Sequence, residues 1–198
     1  MANMPTKAVN QTLYIQENSR TMKTILFEML RTLSILLAMS LLSSSATVNA
    51  AEAEKFFDQS LGDFKAELET AKKSGKRGLM LMFEREDCPY CLRMRETIFN
   101  LPKVQAYFRQ HFLIYSIDML GDVEIQDTAG RSIREKKYAE ELRIRGTPTF
   151  VFIGTDGNIL TRHTGATRDA SEFMMLGKYV VDGIYKKQSF TEYRKSSH

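Results

Sequence analysis

The only two cysteines of the 198-residue chain stand three positions apart, in the run Cys88-Pro89-Tyr90-Cys91. This spacing brings two sulfurs within bonding reach when the first lies at a helix N-cap and the second lies one turn further in. The free N–H groups and the positive dipole end of a helix start favour a thiolate, which lowers the pKa of the first cysteine below its usual value of roughly 8.5. We therefore predict that Cys88 is the attacking sulfur and that Cys91 resolves the mixed disulfide.

Pro89 supports this interpretation, because proline suits the first helical position, where a missing N–H costs nothing. Two other interpretations of the cysteine pair stay open. The pair could be a static disulfide of an exported protein. It could also be half of a zinc site, which His111 and His163 would have to complete from distant elements. Each histidine is more often an ordinary surface residue, and we predict no metal site.

A second chemical signal lies at Thr147-Pro148, which Gly146 precedes and an apolar strand follows. A proline at the start of this strand suits a cis peptide bond that faces the cysteine pair. The alternative is a proline that simply begins a strand. If the first interpretation holds, Pro148 shapes a contact groove beside the cysteines.

The elements that must position these residues alternate between helical and strand patterns. The unbroken apolar run Leu79–Phe83 predicts a central strand covered on both faces, with the cysteines at its carboxyl end. The order predicts an α/β protein, a three-layer α/β/α domain with a central mixed sheet and an N-terminal extra helix. The other predicted elements are helices over Glu54–Ser74, Cys91–Phe99 with a restart at Pro102, Arg134–Leu142 and Ala170–Tyr185, strands over Phe112–Ile117, Thr149–Ile153 and Ile159–His163, and a small hairpin within Met119–Ser132.

The first fifty residues have the pattern of an N-terminal extension and signal peptide. A short basic start is followed by the apolar stretch Leu33–Leu42 and by small residues, with the preferred cleavage before Ala51. Met22 is a candidate for the natural start. Ten apolar residues fall short of the ~20 that a membrane-spanning helix needs, so we expect cleavage and a soluble, exported product in the periplasm. Residues 51–188 then form one domain, and residues 189–198 are predicted to be a flexible tail.

Charge argues against a nucleic-acid partner. The chain carries a net charge of +4, and half of that excess lies in the first fifty residues, so the remainder is nearly balanced. Nucleic-acid binders usually show a basic stripe with interleaved aromatic residues, and the sequence has none.

Together, the cysteine run, the kink at Pro102, the strand start Gly146–Phe150 and the turn at Asp156-Gly157 resemble the thioredoxin superfamily over nearly all of residues 54–187. Thr97–Asn100 and the Met119–Ser132 insertion further resemble exported thioredoxins encoded with bacterial sulfur-oxidation (Sox) systems. The resemblance implies the thioredoxin fold and a thiol–disulfide reductase that acts on periplasmic proteins. It also implies recharging by a membrane thiol donor of the CcdA or DsbD type, with no cofactor beyond the Cys88–Cys91 disulfide.

The resemblance also implies which residues contact the substrate, namely Pro89, Tyr90, Thr147 and Pro148. Thr147 would pair with the partner backbone.

Three features of the sequence depart from the thioredoxin pattern. Asp87 stands where thioredoxins usually carry a Trp, and Met82 replaces the buried Asp that accepts the Cys91 proton. Glu84 is the candidate for proton transfer in its place. The Pro-Tyr dipeptide between the cysteines resembles glutaredoxins, whose potentials lie near −200 to −230 mV.

The sequence therefore predicts a protein-disulfide reductase. A disulfide oxidase or isomerase is the first alternative, because export brings the chain to a compartment where disulfides are also made. A non-catalytic thioredoxin-like binding module with a structural disulfide is the second.

Overall fold

The structure, a computed structural model, describes residue 53 and residues 55–197. The predicted signal peptide and its preferred cleavage site lie outside these residues. Within the described part of the chain, no helix is both long enough and apolar enough to cross a lipid bilayer.

Strands and helices are interspersed along the described residues. The strands are β1 (Gly78–Glu84), β2 (Phe112–Asp118), β3 (Glu124–Gln126), β4 (Ser132–Arg134), β5 (Thr149–Gly154) and β6 (Ile159–Thr164). The α-helices are α1 (Phe64–Lys73), α2 (Pro89–Met94), α3 (Pro102–His111), α4 (Glu135–Glu141), α5 (Ala170–Val181) and α6 (Phe190–Ser196). One π-helical turn (Arg95–Phe99) extends α2, and a short 3₁₀ turn (Ile184–Lys186) follows α5.

Four of the strands form one mixed sheet in the order β2-β1-β5-β6. β1 is parallel to β2 and antiparallel to β5, and β5 is antiparallel to β6. Every residue of β1 except Glu84 is buried, as expected for a strand with helices on both faces. Helices α2, α3 and α5 pack on one face, and α1 and α4 pack on the other. The predicted three-layer α/β architecture is confirmed.

The N-terminal helix is present, but it is shorter than predicted. It begins at Phe64 rather than near Glu54, because Gly62 has a φ of +82° and Asp63 caps the helix by accepting from the Ala66 N–H at 2.9 Å. Phe56 lies before this break and packs with the α2 side of the sheet, whereas Phe64 packs with the opposite side. The apolar residues whose spacing predicted one helix therefore belong to two separate hydrophobic cores.

The predicted small hairpin in the polar insertion is present as the antiparallel pair β3–β4. Asp127 closes its turn, because the carboxylate accepts from the Ala129 and Arg131 N–H groups, both at 2.9 Å. The Arg131 side chain then joins Asp127 to Glu141 at the end of α4. The insertion is thus an ordered part of the domain.

The C-terminal residues differ from the prediction of a flexible tail. Residues 190–196 form α6, and Ser189 and Glu192 make a reciprocal capping box at its start. Phe190 is buried against Tyr179, and Arg194 bonds the buried carboxylate of Glu172 at 2.5 Å. The polar composition of the segment does not indicate the contacts of Phe190 and Arg194, because their partners belong to another helix. The preceding helix, α5, ends at Val181 rather than at the predicted Tyr185. Gly183, with a φ of +69°, turns the chain just after this end.

Candidate active site

The cysteine pair lies where β1 ends at the edge of the sheet. A short loop, residues 85–87, leads from β1 to Cys88, which is the N-cap of α2 with φ −104° and ψ 95°. Cys88 and Cys91 form a disulfide, and their Cα atoms are 5.2 Å apart. The Cys88 sulfur also accepts a hydrogen bond from the Cys91 N–H at 3.1 Å. The attacking and resolving positions predicted from the spacing are therefore adjacent at a helix start.

The pair is sheltered, but its immediate surroundings are not. Cys88 and Cys91 are 5% and 2% exposed, whereas Tyr90 and Leu92 are 63% and 56% exposed. Pro89 occupies the first helical position, as predicted, and is also exposed. Large exposed apolar side chains beside a buried disulfide give the site a surface that another protein chain can cover.

Pro148 lies at the same edge of the sheet as the cysteine pair. The Thr147–Pro148 peptide bond is cis, as predicted. Thr149 pairs with Phe83 across the antiparallel strands, so Pro148 comes next to the end of β1 from which the cysteine loop departs. Pro148 is buried and Thr147 is half-buried, and the Pro148 carbonyl accepts from the Gly165 N–H at 2.8 Å.

An open cavity of about 340 Å³ adjoins the disulfide on the other side of the cysteine helix. It lies between the start of α2 and the carboxyl ends of β1 and β2. The lining residues are Glu84, Arg85, Glu86, Cys88, Cys91, Leu92, Arg95, Ser116 and Asp118. The predicted proton-transfer residue, Glu84, therefore shares a cavity with both sulfurs.

Glu84 is held by two partners in this cavity. Arg95 donates to its carboxylate at 2.5 Å and 3.3 Å, and the Ser116 hydroxyl donates to the same carboxylate. Arg95 also lies over the Phe57 ring, with its guanidinium carbon 4.5 Å from the ring centroid. Arg95 and Glu84 are mostly buried, with side-chain exposures of 19% and 17%. Arg95 thus fixes one flank of the cysteine helix.

Arg93 fixes the opposite flank. Its guanidinium donates to the backbone carbonyls of Thr167 at 2.6 Å and Arg168 at 3.1 Å, in the loop between β6 and α5. Arg85, in contrast, pairs with Asp87 at the surface, where both side chains are largely exposed. All three arginines lie within seven residues of Cys88 in the sequence, but only the structure shows that Arg93 and Arg95 hold the cysteine helix on its two sides.

Asp118 is a further carboxylate that lines the cavity, and Glu135 lies beside it. Asp118 ends β2, and its carboxylate accepts from the Leu120 N–H at 2.9 Å. Burial raises the pKa of the neighbouring Glu135, and the Asp118 charge raises it further, against a hydrogen bond from the Asp118 backbone. Sequence reasoning missed Ser116 and Asp118, although their place at the end of a strand parallel to β1 is a usable signal.

The two histidines weighed as zinc ligands lie elsewhere in the fold. His111 ends α3 beside Tyr107, and the His163 ring on β6 contacts Phe150 and Phe190. Burial lowers the pKa of His163. Among the described residues, no group of three or more His, Cys, Asp or Glu side chains could hold a metal ion.

Comparison with known proteins adds a family match and shared folds. Residues 64–180 match the family described as the thioredoxin-like domain. Among curated proteins, none matches the chain at a significant level.

The chain is also similar to several solved structures. A thioredoxin-fold protein from Helicobacter pylori is 20% identical with a TM-score of 0.53, covering 75% of this chain and 95% of that one. A putative disulphide-isomerase from Bacteroides thetaiotaomicron is 24% identical with a TM-score of 0.50, covering 67% and 94%. The DsbH oxidoreductase is 17% identical with a TM-score of 0.50, covering 64% and 85%. At these identities the likeness establishes a common fold, and the predicted thioredoxin fold is confirmed.

Proposed function

This chain belongs to the thioredoxin-like domain family, and we propose that it is a thiol–disulfide oxidoreductase that reduces disulfides in partner proteins. The observation that carries the proposal is the Cys88–Cys91 disulfide at the start of α2, with the Cys88 sulfur hydrogen-bonded to the Cys91 N–H. A donor aimed at this sulfur, together with the helix dipole, stabilises the thiolate that reduction creates.

The reaction transfers two electrons from the reduced protein to its partner. The Cys88 thiolate attacks one sulfur of the partner disulfide, which forms a mixed disulfide and releases the other partner sulfur as a thiolate that takes up a proton. Cys91 then loses its proton and attacks the Cys88 sulfur. The mixed disulfide breaks, the second partner sulfur leaves as a thiolate, and the Cys88–Cys91 disulfide forms.

The surroundings of the pair support a protein substrate. Exposed Tyr90 and Leu92 offer apolar contact area, and Pro148 with Thr147 lies at the adjoining edge of the sheet. In this proposal Pro89, Tyr90 and Pro148 contact the partner, and Thr147 pairs with its backbone. Glu84 remains the candidate acceptor for the Cys91 proton, since it lines the same cavity as both sulfurs.

The compartment, the nearest kind of relative and the electron donor are proposed from the sequence. We place the protein in the periplasm, as a relative of the exported thioredoxins encoded with sulfur-oxidation systems, and we name a membrane thiol carrier of the CcdA or DsbD type as its electron donor. The signal-peptide pattern and the Met119–Ser132 insertion support these assignments. The ordered β3–β4 hairpin in that insertion is a candidate surface for partner selection.

The first experiment separates catalysis from a merely structural disulfide. Insulin reduction by the chain from Ala51 onward is compared with that of the Cys88→Ser and Cys91→Ser variants, with dithiothreitol as the reductant. We expect Cys88→Ser to abolish turnover and Cys91→Ser to accumulate a mixed disulfide, because only the second variant keeps the attacking sulfur. Equal activity in all three proteins would contradict catalysis by this pair.

The second experiment determines the direction of electron flow. The Cys88–Cys91 pair is equilibrated in glutathione and dithiothreitol buffers, and its reduction potential is read by thiol alkylation. A value below about −220 mV supports a reductase, whereas a value near about −120 mV makes the protein a disulfide donor and overturns the proposed direction.

A further inference from the structure

Arg93 joins the cysteine helix to the loop that follows β6, at a point opposite Arg95. Its two terminal nitrogens donate to two successive backbone carbonyls, Thr167 at 2.6 Å and Arg168 at 3.1 Å. Thr167 is 1% exposed, so at least one of these carbonyls lies in a buried residue. A planar guanidinium can span two neighbouring carbonyls, whereas a lysine ammonium at the same place offers a single point of contact.

The same loop also holds Pro148. The Gly165 N–H donates to the Pro148 carbonyl at 2.8 Å, two residues before the first carbonyl that Arg93 binds. Residues 165–168 therefore contact the cysteine helix through Arg93 and contact the strand of the cis-proline through Gly165. We define these four residues as the bridge loop.

The buried carboxylate of Glu172 in α5 holds the bridge loop in place. Glu172 is 3% exposed, and its carboxylate accepts from the Arg168 N–H at 2.8 Å and from the Arg168 side chain at 2.9 Å. Arg194 of α6 bonds the other oxygen of that carboxylate at 2.5 Å. The loop is thus fixed to α5 and to the C-terminal helix, so a contact with it is a contact with a rigid frame.

We propose that Arg93 is a positioning residue that sets the cysteine pair in register with Pro148 through the bridge loop. The inference rests on the function proposed above, since register matters only if a partner chain binds across both groups. Attack on a partner disulfide needs the Cys88 sulfur and the partner backbone to meet in one geometry. Misplacement of about 1 Å at such a site costs up to about 100-fold in rate.

The test compares Arg93→Met and Arg93→Lys with Arg162→Met. Arg162 is the matched control, because it also donates to a backbone carbonyl, Leu142 at 2.6 Å, and its loss removes the same charge. The first readout is the rate at which each reduced protein reduces insulin. The second is the rate at which iodoacetamide alkylates Cys88, a reaction that needs no contact with Pro148. Thermal unfolding of each variant measures the loss of stability.

We expect Arg93→Met to slow insulin reduction about 10- to 100-fold while the alkylation rate stays within about twofold of the wild type. Arg93→Lys should recover part of this loss, and Arg162→Met should change neither rate. The inference is overturned if both rates fall together, which indicates an effect on the thiolate itself, or if Arg93→Met and Arg162→Met behave alike.

A third readout keeps the inference separate from the proposed function. Exchange of the Gly165 amide hydrogen reports the bond to Pro148 without any substrate. We expect faster exchange in Arg93→Met but not in Arg162→Met. If the wild type fails to reduce insulin, the function is wrong while this exchange still decides whether Arg93 links the two groups. Unchanged exchange at Gly165 refutes the link even in an active enzyme.

Discussion

Helices α2 and α5 begin with the same type of hydrogen bond, but the acceptor is a sulfur in α2 and a carboxylate oxygen in α5. In each, the N-cap side chain accepts from the backbone N–H three residues later. At α2 both positions are cysteines, Cys88 and Cys91. At α5 the two positions are Asp169 and Glu172, and the bond is 2.9 Å long.

The two helix starts differ in whether acidic side chains place negative charge beside the helix dipole. The start of α5 carries the carboxylates of Asp169 and Glu172, which offset the positive end of the helix dipole. The first turn of α2 contains no acidic residue, and its cap is a neutral sulfur while the disulfide is closed. A helix start that lacks built-in negative charge can stabilise a thiolate when the disulfide opens. The start of α5 therefore serves stability, and the start of α2 is suited to the thiol chemistry proposed above.

The largest expected effect concerns the charge of Glu172. Burial would raise the pKa of its carboxyl, but hydrogen bonds from Arg194 and from the Arg168 backbone and side chain outweigh it and lower the pKa to about 2. The folded state therefore favours the ionised form, and its stabilisation is present above about pH 4.5 and lost as the pH falls toward 2. A lowering of this size corresponds to about 3 kcal/mol.

The measurement is the free energy of unfolding by denaturant between pH 2 and neutrality, for the wild type and Glu172→Gln. We expect the variant to be less stable at neutral pH and to lose less stability on acidification. Parallel pH profiles would contradict a stabilising charge at this helix start.

A smaller effect is expected from the cap of α5. Asp169→Ala removes the acceptor for the Glu172 N–H and should lower the free energy of unfolding by about 1 kcal/mol. Asp63→Ala, which removes the equivalent 2.9 Å bond at α1, is the matched variant and should cost a similar amount. Insulin reduction should persist in both folded variants. A loss below a few tenths of a kcal/mol in Asp169→Ala would show that Glu172 alone secures this helix start.

The smallest effect tests whether the missing charge at α2 matters. Tyr90→Glu introduces a carboxylate in the first turn, where it competes with the Cys88 thiolate for the same dipole. We expect thiolate formation in the reduced protein to move to higher pH, by less than about 1 kcal/mol in free energy. The measurement is the pH dependence of Cys88 alkylation, with Tyr90→Gln as the uncharged control. An equal change in both variants would assign the effect to lost tyrosine contacts instead.

Much of this site was predictable from local sequence. Pro89 after Cys88 marks a helix start, and the apolar run before them marks a buried strand, so the position of the disulfide follows from short-range rules. The predicted start of the N-terminal helix is wrong, and α6 is not predicted, for a common reason. The start of α1 and the presence of α6 depend on which core each apolar residue joins, and periodicity does not carry that information.

Local sequence patterns are enough to predict that the two cysteines share a helix start, the order of the elements from β1 to α5, and the position of Pro148 before a strand, because each depends on the conformational preferences of neighbouring residues. The contacts of Arg95 with Glu84 and of Arg93 with the carbonyls of the bridge loop are visible only in the folded domain. Arg93 and Arg95 are charges of the same kind two residues apart, and their partners lie on different elements of the fold. A long-range contact is specified by packing of the whole domain, which a local pattern of residue types cannot encode.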